Sequence, residues 1–175
     1  MPKRTSYHDL KQYDDVLEVL PVVAAAIEEG EVYRAHLRTP EMAENAEVEM
    51  FIRTPSSSVH CHVIAQFSAE LAAQASLRES CTVSASGSLL TPYNVNRNKG
   101  DSSTVSVRSS PTLTGSGTRL DIFDFGGGKK GETGGDAQSQ VGWIARYGTV
   151  YILRIRSCAG ANNGSIRLTI REHAE

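Results

Sequence analysis

Between residues 59 and 68 the chain alternates with a period of two. Val59, Cys61, Val63, Ala65 and Phe67 are apolar, and His60, His62, Gln66 and Ser68 fall between them. Successive side chains of a strand point to opposite faces, so this pattern demands one buried and one wet face. That is the mark of antiparallel sheet, because parallel strands are buried on both sides. The same period runs through Glu47–Arg53, where Val48, Met50 and Ile52 oppose Glu47, Glu49 and Arg53, and through Val105 and Val107. Leu120 and Ile122 continue it before Phe123 and Phe125, which are expected to pack at a sheet end. Val32–Leu37, Gly142–Ala145, Thr149–Ser157 and Ser165–Arg171 supply further strands. Residues 70–78 have a helix-favouring composition, but Ala75–Cys81 is read as strand. Pro40–Ala46, residues 54–58, Ser84–Ser88, Tyr147-Gly148 and Asn163-Gly164 are expected connections. About eight short strands with no interleaved helices predict an all-β antiparallel β-sandwich of the jelly-roll kind. In the last hairpin, Tyr151, Leu153, Ile155, Ile166, Leu168 and Ile170 should face inward, with Arg154, Arg156, Arg167 and Arg171 sharing the outer face.

Ahead of the strands the period is helical. Asp15-x-x-Glu18 reads as a capping box, and Leu17, Leu20 and Ile27 fall on one helical face. Pro21 should kink or restart this helix, and Gly30 should stop it. The expected organisation is an N-terminal extension with a short amphipathic helix over residues 1–30 and a β-sandwich domain over 31–175. No apolar run reaches membrane length, and a net charge of −2 argues against a strongly basic nucleic-acid binder. Lys3 and Arg4 are not followed by an apolar stretch, so the start does not read as a secretion signal. Cys61, Cys81 and Cys158 lack metal-type spacing and read as reduced thiols of a protein made in the cytoplasm. Charge is uneven. Residues 1–49 hold eleven acids against five bases, whereas residues 137–175 hold five arginines against two acids. Such asymmetry can steer association with another copy or a partner, and the extension and helix are expected to take part.

Chemistry finds little purchase. His60 and His62 share a face, but Cys61 points the other way and no third metal ligand is visible at useful spacing. The run GGGKKGET lacks the GK[ST] order and the following helix of a phosphate loop. No serine sits in a G-x-S-x-G turn, and His8, His36 and His173 have no carboxylate partner that spacing identifies. No catalytic, cofactor-binding or metal residues are therefore expected.

The most distinctive run is Leu89–Thr104, LLTPYNVNRNKGDSST. Thr91-Pro92 ends an extended segment, and three asparagines alternate along the next turn of chain, suited to a stiff crossing between strands. The pattern, with the Gly-rich break at 126–135, Trp143 and the final strands, resembles a family of tailed-bacteriophage head decoration (cement) proteins, encoded beside the major capsid protein. That resemblance spans roughly residues 30–172. It implies a structural virion protein with a jelly-roll-like core, no enzymatic activity and no cofactor. It further implies a location on the outer capsid surface, homo-oligomers such as trimers, and contact with the major capsid protein rather than nucleic acid or membrane. Tyr93, Asn94, Asn96, Arg97 and Asn98 are the matching positions, serving either to brace the fold or to meet a partner. Candidate subunit or capsid contacts are Lys3, Arg4, Lys129, Lys130, Arg154, Arg156, Arg167 and Arg171. The alternative is a carbohydrate- or receptor-binding sandwich of a phage fibre. Trp143, the only tryptophan, is expected to fill the core rather than form a sugar platform.

Overall fold

The computed structural model of the chain describes residues 22–56, 58–126 and 139–174. In chain order these form α1 (Val22–Glu29), β1 (Val32–Met42), β2 (Glu47–Arg53), β3 (Val59–Ala69) and β4 (Ala73–Glu79). Five short strands follow: β5 (Thr82–Ala85), β6 (Ser88–Leu89), β7 (Tyr93–Asn94), β8 (Ser106–Ser109) and β9 (Thr112–Gly115). Then come β10 (Thr118–Phe125), β11 (Ser139–Ala145), β12 (Val150–Ser157) and β13 (Asn162–Ala174). Two antiparallel sheets face each other, one ordered β11-β3-β13-β1-β7 and the other β10-β4-β12-β2-β8-β6, while β5 and β9 pair alone. Successive long strands switch sheets at every connection except β4 to β10, which are neighbours in the six-stranded sheet.

Alternation fixes the core. Val63, Ala65 and Phe67 of β3 meet Met50, Ile52, Leu153 and Ile155 of the facing sheet, with Ile166, Leu168 and Ile170 beside them, all buried. At one end Phe67 packs edge-on against Phe123 at 5.6 Å and near Phe125 at 6.3 Å. A second, smaller core lies outside the sandwich. Phe51 and Ile152 are register partners on the outer side of the six-stranded sheet, where period two puts solvent. The β5–β9 ribbon folds over them, and Val83 and Leu113 help to cover Phe51, Cys81, Val150 and Ile152.

Helix α1 ends as Gly30 predicts. The Gly30 N–H donates to Ile27 and the Glu31 N–H to Ala26, a Schellman closure with Gly30 at φ +81. The Asp15–Glu18 box and Pro21 lie outside the described residues.

Several expectations need correction. β12 and β13 belong to different sheets and do not form a hairpin. Their turn is at residues 158–161, and Asn163-Gly164 lies inside β13. Leu120 and Ile122 are exposed at 47% and 41%, because a bulge between Arg119 and Asp121 turns Phe123 and Phe125 inward instead. The helix-like 70–78 stretch does contain strand, but over Ala73–Glu79. The Ser84–Ser88 connection narrows to Ser86-Gly87 between β5 and β6, and β1 runs on through Pro40 to Met42.

Candidate functional site

The asparagine-rich stretch is a brace. β7 adds to the edge of β1, with Tyr33 opposite Asn94 and Arg34 opposite Tyr93. Asn94 is buried; its Nδ2 donates to the Gly30 carbonyl at 2.8 Å and its Oδ1 accepts the Asn96 N–H at 2.9 Å. Asn96 Nδ2 donates to the Glu28 carbonyl at 3.1 Å, and its Oδ1 accepts the Asn98 N–H at 3.1 Å. The two side chains therefore satisfy carbonyls that the end of α1 leaves open, and hold the crossing chain in shape by local side-chain-to-backbone bonds. Tyr93, Arg97 and Asn98 point outward, with the Arg97 guanidinium 5.9 Å from the Tyr93 ring centroid. Replacing Asn94 with Ala should cost about 2 kcal/mol, the effect of leaving a buried carbonyl and N–H unpaired. Amide exchange over residues 24–30 should quicken in that variant; unchanged exchange and stability would show that the stretch braces nothing.

Just beyond, the chain is pinned by Glu172 of β13. Its carboxylate is buried and accepts from Thr104 N–H at 2.9 Å, Thr104 Oγ1 at 2.7 Å, Val105 N–H at 3.4 Å and Ser103 Oγ. Beside it, burial and then the Glu172 charge push the Cys61 thiol up to about 12, so this cysteine stays protonated and inert at neutral pH.

The outer face of the five-stranded sheet gathers the basic groups. Register sets Arg34, His36 and Arg38 of β1 against Thr169, Arg167 and Ser165 of β13. It sets Arg171 and His173 against His62 and His60 of β3. Ile64, Gln66 and Ser68 complete β3, and Gln140, Gly142 and Ile144 face outward on β11. None of these outward positions is a carboxylate. Glu31, at the sheet's end, pairs with Arg171 at 3.1 Å. The histidines stack: His173 lies between His60 and His62, with centroids 5.3 and 5.2 Å away, and His62 Nε2 is 3.1 Å from His173 Nε2. Partial burial, with the neighbouring His173, Arg171 and His60 charges, holds His62 below the usual imidazole value. His173 is the neighbour that sequence spacing did not supply; its signal was only that β13 continues the alternation past Arg171. Even so, among the described residues no group of three or more His, Cys, Asp or Glu is arranged to hold a metal ion.

The four arginines expected on one face are thus divided. Arg167 and Arg171 lie on this sheet, while Arg154 and Arg156 lie outside the six-stranded one. Arg154 is bound between Glu49, at 2.5 Å, and Glu47, at 3.0 Å, and Arg156 donates to Asn45 at 2.8 Å. Lys3, Arg4, Lys129 and Lys130 lie outside the described residues. Trp143 is half-buried, 5.7 Å from the Tyr151 ring, so its indole does not form an open platform.

Two depressions on the described surface have volumes of about 190 and 170 Å³. The first is lined by His36, Arg38, Ser68, Glu70 and Asn163, and the second by Arg78, Arg119, Arg154 and Glu47 among others. Neither sets a nucleophile beside a base and a charge-stabilising group. No protein-family model, curated protein or solved structure matches the chain. A functional reading therefore rests on the architecture, the brace and two unlike outer faces, one with Arg154 held by Glu47 and Glu49 and one whose basic groups meet carboxylates only towards its ends.

Proposed function

We propose that this chain is a decoration protein of a tailed-phage capsid, binding the outer surface of the assembled head and bridging copies of the major capsid protein. The observation that carries the reading is the winding of the eight long strands. Their orders β11-β3-β13-β1 and β10-β4-β12-β2, with sheet changes at all but one connection, are those of a jelly roll. That is the core implied by the resemblance of the 89–104 stretch, whose matching asparagines here act as a brace.

The mechanism is mass action. A subunit that binds the assembled lattice and not free capsid protein shifts the equilibrium toward the shell. Self-association, as a trimer about a symmetry axis, multiplies modest single contacts into lasting attachment. No bond is made or broken.

The test is co-sedimentation of purified chain with empty heads assembled from the major capsid protein encoded beside it. Saturable binding to heads, with none to unassembled capsid protein, is the expected result. Absence of head binding together with specific retention on a glycan array would replace this reading with the fibre module.

A further inference from the structure

We infer that the outer face of the five-stranded sheet is a docking surface for a carboxylate-rich patch on a partner protein. The inference deepens the reading above by naming the face that meets the shell, and it rests on that reading only for the partner's identity.

Three observations converge. The chain carries 20 acids and a net charge of −2, yet the outward positions from Arg34 to Arg38 of β1, His60 to Ser68 of β3, Gln140 to Ile144 of β11 and Ser165 to His173 of β13 hold no carboxylate; Glu41 is exposed beyond the bulge at the end of β1. Arg34, Arg38 and Arg167 on this face make no ion pair with any described carboxylate, in contrast to Arg154 on the opposite sheet. Arg38 and Arg167, exposed and without an ion-pair partner among the described residues, can take carboxylates two-pronged, whereas the Arg34 Nε is buried. The face is also partly apolar: Ile64 and Ile144, exposed at 39% and 64%, flank His62 across the β3–β11 ladder. Arginine set beside exposed aliphatic side chains is the composition of a protein interface.

A nucleic-acid backbone fits less well. The outward run of β13 from Ser165 to His173 is roughly 27 Å long at the usual strand rise. Beyond its ends stand carboxylates, Glu31 at one and Glu70 at the other, the latter held by Asn163 at 2.8 Å. An extended polyphosphate leaving the face would run over them, and it would offer nothing to Ile64 and Ile144. A compact acidic patch seated between those two carboxylates would meet the arginines, the histidines and the aliphatic pair.

The test uses the double charge reversal R38E/R167E, with R119E on the six-stranded sheet as control and thermal melting to confirm folding. Full-length proteins are measured on immobilised poly-L-glutamate, on a 20-base-pair duplex DNA of equal total charge, and on the assembled heads. Two reversals should weaken binding to poly-L-glutamate and to heads about hundred-fold, at about tenfold for each charge opposed, while R119E stays within about two-fold. Equal binding by wild type and R38E/R167E on poly-L-glutamate would overturn the inference. So would tighter, reversal-sensitive binding to the duplex, which would make the face a nucleic-acid surface. Conversion of an oligomer to a monomer by the reversal would likewise overturn it, assigning the face to a second copy of this chain. Wild-type failure on heads, with reversal-sensitive binding to poly-L-glutamate intact, would sink the capsid reading and leave the docking face standing.

Discussion

Glu172→Ala should lower the melting temperature by roughly 12 °C, the shift expected for about 4 kcal/mol in a domain of this size. The carboxylate lies at an inward position of β13, following Ile166, Leu168 and Ile170, and it is 8% exposed. Its charge is acceptable there because the 103–105 segment delivers two backbone N–H groups and two hydroxyls to it. Ala removes every acceptor at once and leaves the part-buried Thr104 N–H without its partner, where an unpaired group costs about 1–3 kcal/mol and more for a charge-assisted set. Glu172→Gln keeps one acceptor oxygen and loses the charge, so it should cost about half as much. Melting by circular dichroism, with amide exchange at Thr104 and Val105, gives both readouts. An Ala variant melting within about 3 °C of wild type would mean that the segment is held by something else.

Asn162→Leu should cost about 3 kcal/mol although it preserves side-chain volume. Asn162 is fully buried, and its Nδ2 donates to the Leu71 and Ala72 carbonyls at 3.3 and 3.2 Å and to Ser157 Oγ at 3.2 Å. Its Oδ1 accepts the Leu71 N–H at 2.9 Å. One side chain therefore joins the start of β13, the β3–β4 turn and the end of β12, three points drawn from both sheets. Leu fills the space and strips the Leu71 N–H and carbonyl of these bonds, while the Ala72 carbonyl keeps the Cys158 N–H and Ser157 Oγ keeps Ala159. The neighbouring Asn163 makes exposed bonds to Glu41 and Glu70, so Asn163→Ala is the control and should cost about 1 kcal/mol. Equal losses in the two variants would refute a special role for Asn162.

Much of the sandwich was legible because period two is written directly into β2, β3 and β13. The Glu47–Arg53 boundaries matched, and the six apolar side chains of β12 and β13 face the core as read. Sheet membership was not legible. Two consecutive alternating strands with a Gly between them suggest a hairpin, whereas here the chain steps across the sandwich, and that choice depends on partners more than 70 residues away. The short strands escaped for a similar reason: β5 and β9 have no strong pattern, and exist because Phe51 and Ile152 need a cover. Glu172 did leave a trace, as the one charged residue continuing the inward series of β13. The asparagine-rich run was visible as a choice between two roles; Asn94 and Asn96 bond to the end of α1, while Tyr93, Arg97 and Asn98 stand exposed. Of the basic face only pairs on single strands, Arg167 with Arg171 and His60 with His62, could be read, since the face assembles from strands spread between residues 34 and 173.

The position of β13 bears on how the protein comes to be made. It is the middle strand of its sheet, flanked by β1 and β3, and it follows all the other described strands in chain order. A nascent chain therefore emerges with both neighbours of that slot already synthesised and with their paired edges open. Closing the sheet requires joining segments separated by most of the chain, which makes the final step slow on topological grounds. Until then the exposed edges of β1 and β3 are templates for wrong pairing, so yield during synthesis should depend more on how quickly β13 seats than on how stable the finished fold is.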